Sequence, residues 1–240
     1  MIVEVCSSSL KGVKNASFAG ANRIELCSAL ELGGITPSKG LLEEAVNLKL
    51  LDIHPLIRPR AGHFTFTKEE IKIIEKDIVF ANEVGCKGVV IGALTPEFKI
   101  DIPLMKRWKE LAGSLYVTFH RAIDVVVDPN TAIKQLIDLG FDCVLSSGQE
   151  EKAVDGLGKL TTWQEEFGDQ ILIMPGSGVN ASNCELFKSV GFRAIHLSGS
   201  ISLPEIDLPF GVNKNLSFLT QQLNESDFSK IAEVVSKVKS

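Results

Sequence analysis

The sequence predicts an α/β protein, a (β/α)8 TIM barrel with residues 1–240 in a single domain, and three observations carry that prediction. Eight short β-rich runs alternate with helical patterns, which implies parallel strands joined by crossovers. Eight such units fill the 240 residues at the length of a βα repeat, within the range of single-domain barrels. Along the strands the side chains alternate with period two. An open sheet covered by helices on both faces would instead read as nearly continuous apolar strands.

The strand candidates, in order, are 2–6, 23–27, 52–58, 88–94, 115–121, 143–148, 171–176 and 194–199. Val3, Val5, Ile24, Leu26, Ile53, Ile57, Val117, Phe119, Ile195 and Leu197 form the apolar set expected to face the helices. Glu4, Cys6, Glu25, Cys27, Arg58, Thr118, His120, His196 and Ser198 alternate with them and are expected in the lumen and its upper mouth. The helix signals fit this order. Thr67 with Glu70 makes a capping box, Asp128 precedes Pro129, Asn180 is placed to cap the seventh helix, and Gly85, Gly140 and Gly191 suit left-handed helix ends. Pro204, Pro209 and Gly211 mark a long loop over about 201–225, after which Ser226 is expected to cap the last helix.

Composition narrows the function. A net charge of −5, with no basic run and no stripe of stacking aromatics, argues against a nucleic-acid surface or an anionic membrane. The opening MIVEVCSSSL has no basic leader and no run is long enough to cross a bilayer, so the expectation is a cytoplasmic protein without membrane contact. The five cysteines are then expected as free thiols.

Two kinds of chemistry are legible at the strand ends. VEVCSSSL (3–10) and IELCSAL (24–30) repeat one pattern on consecutive strands, which places Cys6 and Cys27 at similar height. Strands lie about 4.8 Å apart, so two inward thiols could share one ion, and thiolates select Cu(I) or Zn²⁺ over hard cations. The alternative is that both are small buried hydrophobes, as most free cysteines are. Cys86, Cys143 and Cys184 read as structural. Glu4, Glu25, Arg58, His120 and His196 are inward charges, either a buried network with the carboxylates held by Arg58, or the parts of an active site. His120 would then be the acid/base group.

The turn RPRAGHF (58–64) is expected to present Arg58 and Arg60 to the mouth, where paired guanidinium groups suit a carboxylate or phosphate; His63 beside them is exposed and ambiguous. MPGSGV (174–179) and LSGS (197–200) end strands seven and eight, the loops with which barrels often hold phosphate. Gly176, Gly178 and Gly199 would free backbone N–H groups there, with Ser177 and Ser200 adding hydroxyls. Tight turns closing the barrel are the alternative.

EVC near the start, ANRIELCSALELGGITPS (21–38), LIRPRAGHF (56–64), VTFHRAID (117–124), VLSSG (144–148) and IMPGSGV (173–179) together resemble the CutC family over roughly residues 1–200. His63 stands where that family usually has an acidic residue, Ala61 where it often has Gly, and Ser177 interrupts its glycine turn. The resemblance implies a cytoplasmic barrel that self-associates as a dimer or tetramer. It also implies a part in copper homeostasis, with Cu(I) bound through residues matching Cys6 and Cys27. No organic cofactor is indicated. The constellation also fits a second reading, an enzyme acting on a small phosphorylated or carboxylated metabolite. There His120, Arg58 and Glu25 would be catalytic, and Arg58, Arg60, Gly176, Ser177, Gly178, Gly199 and Ser200 would bind the anion.

Overall fold

The computed structural model describes residues 1–219 and 221–239. All eight expected strands form: β1 (Ile2–Ser7), β2 (Arg23–Leu26), β3 (Asp52–Pro55), β4 (Gly88–Ile91), β5 (Tyr116–Phe119), β6 (Cys143–Ser146), β7 (Leu172–Pro175) and β8 (Ala194–Leu197). Parallel ladders join them in the orders β3-β2-β1-β8 and β4-β5-β6-β7. At the β3/β4 seam, Lys87 N–H donates to Ile53 O and Ile57 N–H to Val90 O, around a parallel bridge between Leu56 and Val90. At the β7/β8 seam no backbone ladder is drawn among the described residues, but the two strands lie side by side. A Cβ on Gly176 would fall 3.2 Å from His196 Cβ and 2.5 Å from Leu145 Cδ1, so the close approach of the strands here favours glycine. The order around the ring is that of a (β/α)8 barrel.

Eight helices cover the outside: α1 (Leu10–Phe18), α2 (Lys39–Asn47), α3 (Lys68–Val84), α4 (Ile102–Ala112), α5 (Pro129–Asp138), α6 (Leu157–Phe167), α7 (Cys184–Val190) and α8 (Phe228–Lys239). α8 packs between α7 and α1 and completes the shell. No helix among the described residues is long and apolar enough to cross a membrane. The Thr67–Glu70 box, the Asp128 cap and the left-handed Gly85, Gly140 and Gly191 form as expected. Two caps do not. Asn180 binds Ser182 in a turn before α7, whose flanking residue is Asn183. The Ser226 hydroxyl donates to the Cys6 carbonyl, and Asp227 accepts from Lys230 N–H at the start of α8.

The alternation sorts the core into two compartments. Val3, Val5, Ile24, Leu26, Ile53, Val117, Phe119 and Ile195 join the main cluster with Trp108, Trp163 and Phe187 from the helices. Cys143, Leu145, Met174 and Ala194 form a separate cluster, as do Cys27, Leu56 and Val90. These are the inward positions, divided from the outer core by the barrel wall. The long loop is more ordered than its composition suggests. Its ends pair antiparallel as β9 (Ser200–Ser202) and β10 (Asn224–Ser226), and Glu225 accepts from the Ser9 hydroxyl at the head of α1. The hairpin base is thereby fixed beside the mouth.

Candidate functional site

The barrel shear decides which inward side chains meet. Glu4 is level with Arg23 on β2 and with His196 on β8, and Cys6 is level with Glu25. The two halves of the sequence repeat are therefore two residues out of step, about 6.6 Å along a strand. Glu4 Oε2 takes a 2.5 Å bond from Arg23 Nε, and Glu4 Oε1 lies 2.7 Å from His196 Nδ1. The residue that clamps the buried carboxylate is thus Arg23, and not Arg58 as the sequence suggested.

Above this pair a cavity of about 410 Å³ opens at the C-terminal ends of the strands. Glu25, Arg58, His120 and His196 all line it, so four of the five expected inward charges converge, with Cys6 beside them. Glu4 lies below it, fully buried. Burial raises the Glu4 carboxyl, but Arg23 and then His196 overcome this and hold it at about 2. Glu25 has no such cation bonded to it, and its Oε2, 3.9 Å from His196 Nδ1, has no hydrogen-bond partner. Burial, opposed by His196 and reinforced by Glu4, pushes its carboxyl up to about 7. Burial alone would lower His196; Cys6 and Glu25, with hydrogen bonds to Cys6 and Glu4, outweigh it and hold the ring well above its ordinary range.

His120 behaves oppositely. Burial and then Arg58 depress it to about 3. Its Nδ1 accepts the Ala122 N–H, so the hydrogen of the neutral ring is on Nε2, and Nε2 is buried without a partner. The ring is a poised donor. A Cβ on Gly92 would lie 2.6 Å from it, so β4 must carry glycine there for the ring to fit. Sequence reasoning missed Arg23 and His54. His54 sits at the lower end, its ring 5.4 Å from Tyr116, and burial, offset in part by Glu4, lowers it to about 4. The strand alternation marks His54 as inward, and Arg23 starts the same inward set as Glu25 and Cys27.

The cysteines separate. Cys6 lines the cavity beside His196, whereas Cys27 is fully buried with Leu56 and Val90, its thiol donating to the Ser7 carbonyl. Burial, then Cys6, Glu25 and Glu31, push the Cys27 thiol up. Glu4, Glu25 and His196 can bring one ligand atom each within 4.8 Å, but two of them are already bonded to each other.

The arginine turn spends most of its donors on itself, leaving Arg58 Nε buried without a partner. Arg58 Nη1 donates to the Leu32, Gly33 and Gly34 carbonyls and Nη2 to Gly62 O, clasping the loops after β2 and β3. Arg60 bonds Glu70 and three backbone carbonyls and does not reach the cavity; His63 is exposed against Thr65. The last two loops differ. Gly176 N–H is spent on Ser146 O, but the N–H groups of Ser177, Gly178, Val179, Ser198 and Gly199 have no acceptor among the described residues. Ser177, Gly178, Ser198 and Ser200 line the cavity, and Ser177 holds a left-handed φ of +79°, a strained state for a residue with a Cβ.

A family model for the CutC family matches residues 1–201. A CutC family protein of Pasteurella multocida is 38% identical over 242 residues, covering 99% of both chains. One from Klebsiella pneumoniae is 42% identical over 203 residues, covering 85% of this chain and 82% of that protein. A solved structure from Streptococcus agalactiae, whose name describes a copper homeostasis protein CutC, has a TM-score of 0.78 at 31% identity and covers 82% of this chain and 98% of its own.

Proposed function

This chain belongs to the CutC family, and from that premise we propose that its barrel mouth is an enzymatic site that transfers a proton on a small anionic metabolite. One observation carries the reading: Glu25 Oε2 stands unpartnered in the cavity wall, 3.9 Å from His196 Nδ1, where burial pushes the carboxyl up to about 7. A carboxyl with that pKa can both accept and return a proton at neutral pH. Glu4 and Arg23 hold the His196 ring in place from below. His120, expected from the sequence to be the acid/base group, suits another role, since its neutral ring offers Nε2–H to a developing negative oxygen. Arg58 builds the wall, and the amides of Ser177, Gly178, Val179 and Ser198, all residues of the cavity lining, receive the anion.

The second reading is Cu(I) binding in copper homeostasis, which the family name and the cavity position of Cys6 beside His196 favour. A soft thiolate with an imidazole is a suitable Cu(I) donor pair. The buried, carbonyl-bonded Cys27 suits it less well as the second thiolate. Self-association would use the exposed Ile206, Phe210, Phe218 and Leu223. Native mass spectrometry of the intact protein, read for metal and small molecules together, decides between the two. A retained anionic metabolite supports the enzyme. Stoichiometric copper that is lost in Cys6→Ser, with no metabolite, overturns it in favour of the metal.

A further inference from the structure

We infer that Arg121 recognises the charged end of the substrate, a phosphate monoester, held between its guanidinium and the backbone amides after β7 and β8. This inference rests on the reading of the mouth as an anion-binding site.

Four arginines lie in or near the barrel lumen, and three are consumed by the fold. Arg23 is committed to Glu4 beneath the cavity, Arg58 to four loop carbonyls, and Arg60 to Glu70 and its own turn. Arg58 and Arg121 both line the cavity, but the one unpartnered donor of Arg58, its Nε, is fully buried, whereas Arg121 keeps an open edge. Its Nε bonds Asp124 at 2.8 Å and its Nη2 bonds Ser147 Oγ and Glu150 O, while Nη1 has no partner among the described residues. The side chain is 40% exposed, so a ligand in the mouth can reach it.

The chain itself sets Arg121 beside the amides. Nη2 rests on the carbonyl of Glu150, and the Ser177 hydroxyl donates to the next carbonyl, that of Glu151, at 2.7 Å. Adjacent Cα atoms are about 3.8 Å apart, so the guanidinium and the strained Ser177 turn are neighbours across one peptide unit. Ala153 N–H donates to Ser177 O and ties the two loops again. The cation and the unpaired N–H groups of Ser177, Gly178 and Val179 thus border one space, which Ser198 also lines.

Asp124 is the positioning residue. Its carboxylate accepts from Ser146 Oγ, from the N–H and hydroxyl of Ser147, from Gln149 N–H and from Arg121 Nε. So many donors lock the carboxylate, which in turn fixes the guanidinium plane before any ligand arrives. The ligand class follows from the donor set. Backbone N–H groups from two loops, with a guanidinium edge, form the kind of donor set that cradles phosphate, and its spread around one space suits the three terminal oxygens and double charge of a phosphate monoester better than the two coplanar oxygens of a carboxylate.

The test uses inorganic phosphate as probe, titrated into the full-length protein and followed by calorimetry, with acetate as the carboxylate comparison. Wild type should bind phosphate more tightly than acetate. Arg121→Gln should weaken phosphate by about tenfold or more, as expected for a lost charged hydrogen-bonding partner. Arg121→Lys should fall between, since it keeps the charge without the fork, and it carries the test should Arg121→Gln not fold. Arg107→Gln, on the outer face of α4, should match wild type. Undiminished phosphate binding in both Arg121 variants overturns the role of Arg121 while leaving the anion site standing. Tighter binding of acetate than phosphate overturns the ligand class. No phosphate binding by wild type overturns the anion site itself.

Discussion

His196 Nδ1 lies 2.7 Å from Glu4 Oε1, and this contact ties the last strand of the barrel to the first, 192 residues apart in sequence. It also joins the charged floor of the cavity to the ring that faces Glu25 and Cys6. Arg23 completes the arrangement on the other oxygen of the same carboxylate. Removing one member leaves an uncompensated buried charge. Arg23→Met should therefore lower unfolding free energy by about 3–5 kcal/mol, measured by urea titration, and a loss well under that range would show Glu4 to be solvated.

His54 and His120 are both held neutral by burial, with folded-state values of about 4 and 3. Their depressed pKa means that the unfolded chain binds protons first. The stability they contribute is complete above pH 6.5 and is lost as pH falls through the folded values. Each adds up to about 1.4 kcal/mol per pH unit to that slope. His54→Gln should remove one proton's worth of slope between pH 6.5 and 4 in urea melts.

Glu25 has the opposite sign. Its folded value near 7 lies above the ordinary 4.5, so its contribution is complete below pH 4.5 and is lost as pH rises toward 7. The stability of Glu25→Gln relative to wild type should rise across that window. The same change removes a charge that raises His196, so the imidazole titration followed by NMR should move to lower pH. An unmoved His196 midpoint would separate the two groups.

Cys6 borders the cavity, whereas Cys27 is sealed and its thiol is bonded to the Ser7 carbonyl. Reactivity follows thiolate fraction and access. Iodoacetamide, with peptide mapping by mass spectrometry, should label Cys6 well before Cys27. Comparable labelling of the two would restore a shared thiol site.

The His120 ring occupies space that only a glycine at position 92 leaves open. Gly92→Ala should cost about 1–3 kcal/mol through overpacking, and its circular dichroism melt should show this alongside weaker phosphate binding if the ring is displaced into the mouth.

The sequence determined the barrel, the strand order and the face on which each charge lies, because side-chain alternation and helix caps are local properties of the chain. It also named Glu25, His120 and His196 as neighbours in one mouth. What it could not determine was height and pairing. The matched pattern around Cys6 and Cys27 reads as two thiols level with each other, yet the shear of a closed barrel shifts neighbouring strands by two residues and sets Cys6 against Glu25 instead. Likewise the paired arginines at 58 and 60 read as an anion clamp, and only the folded loops show most of their donors spent on carbonyls and on Glu70. Arg121, which reads merely as a neighbour of His120, keeps its free edge because Asp124 and the β6 loop hold the rest of the fork. Alternation is written residue by residue; register and hydrogen-bond saturation exist only once distant strands and loops have met.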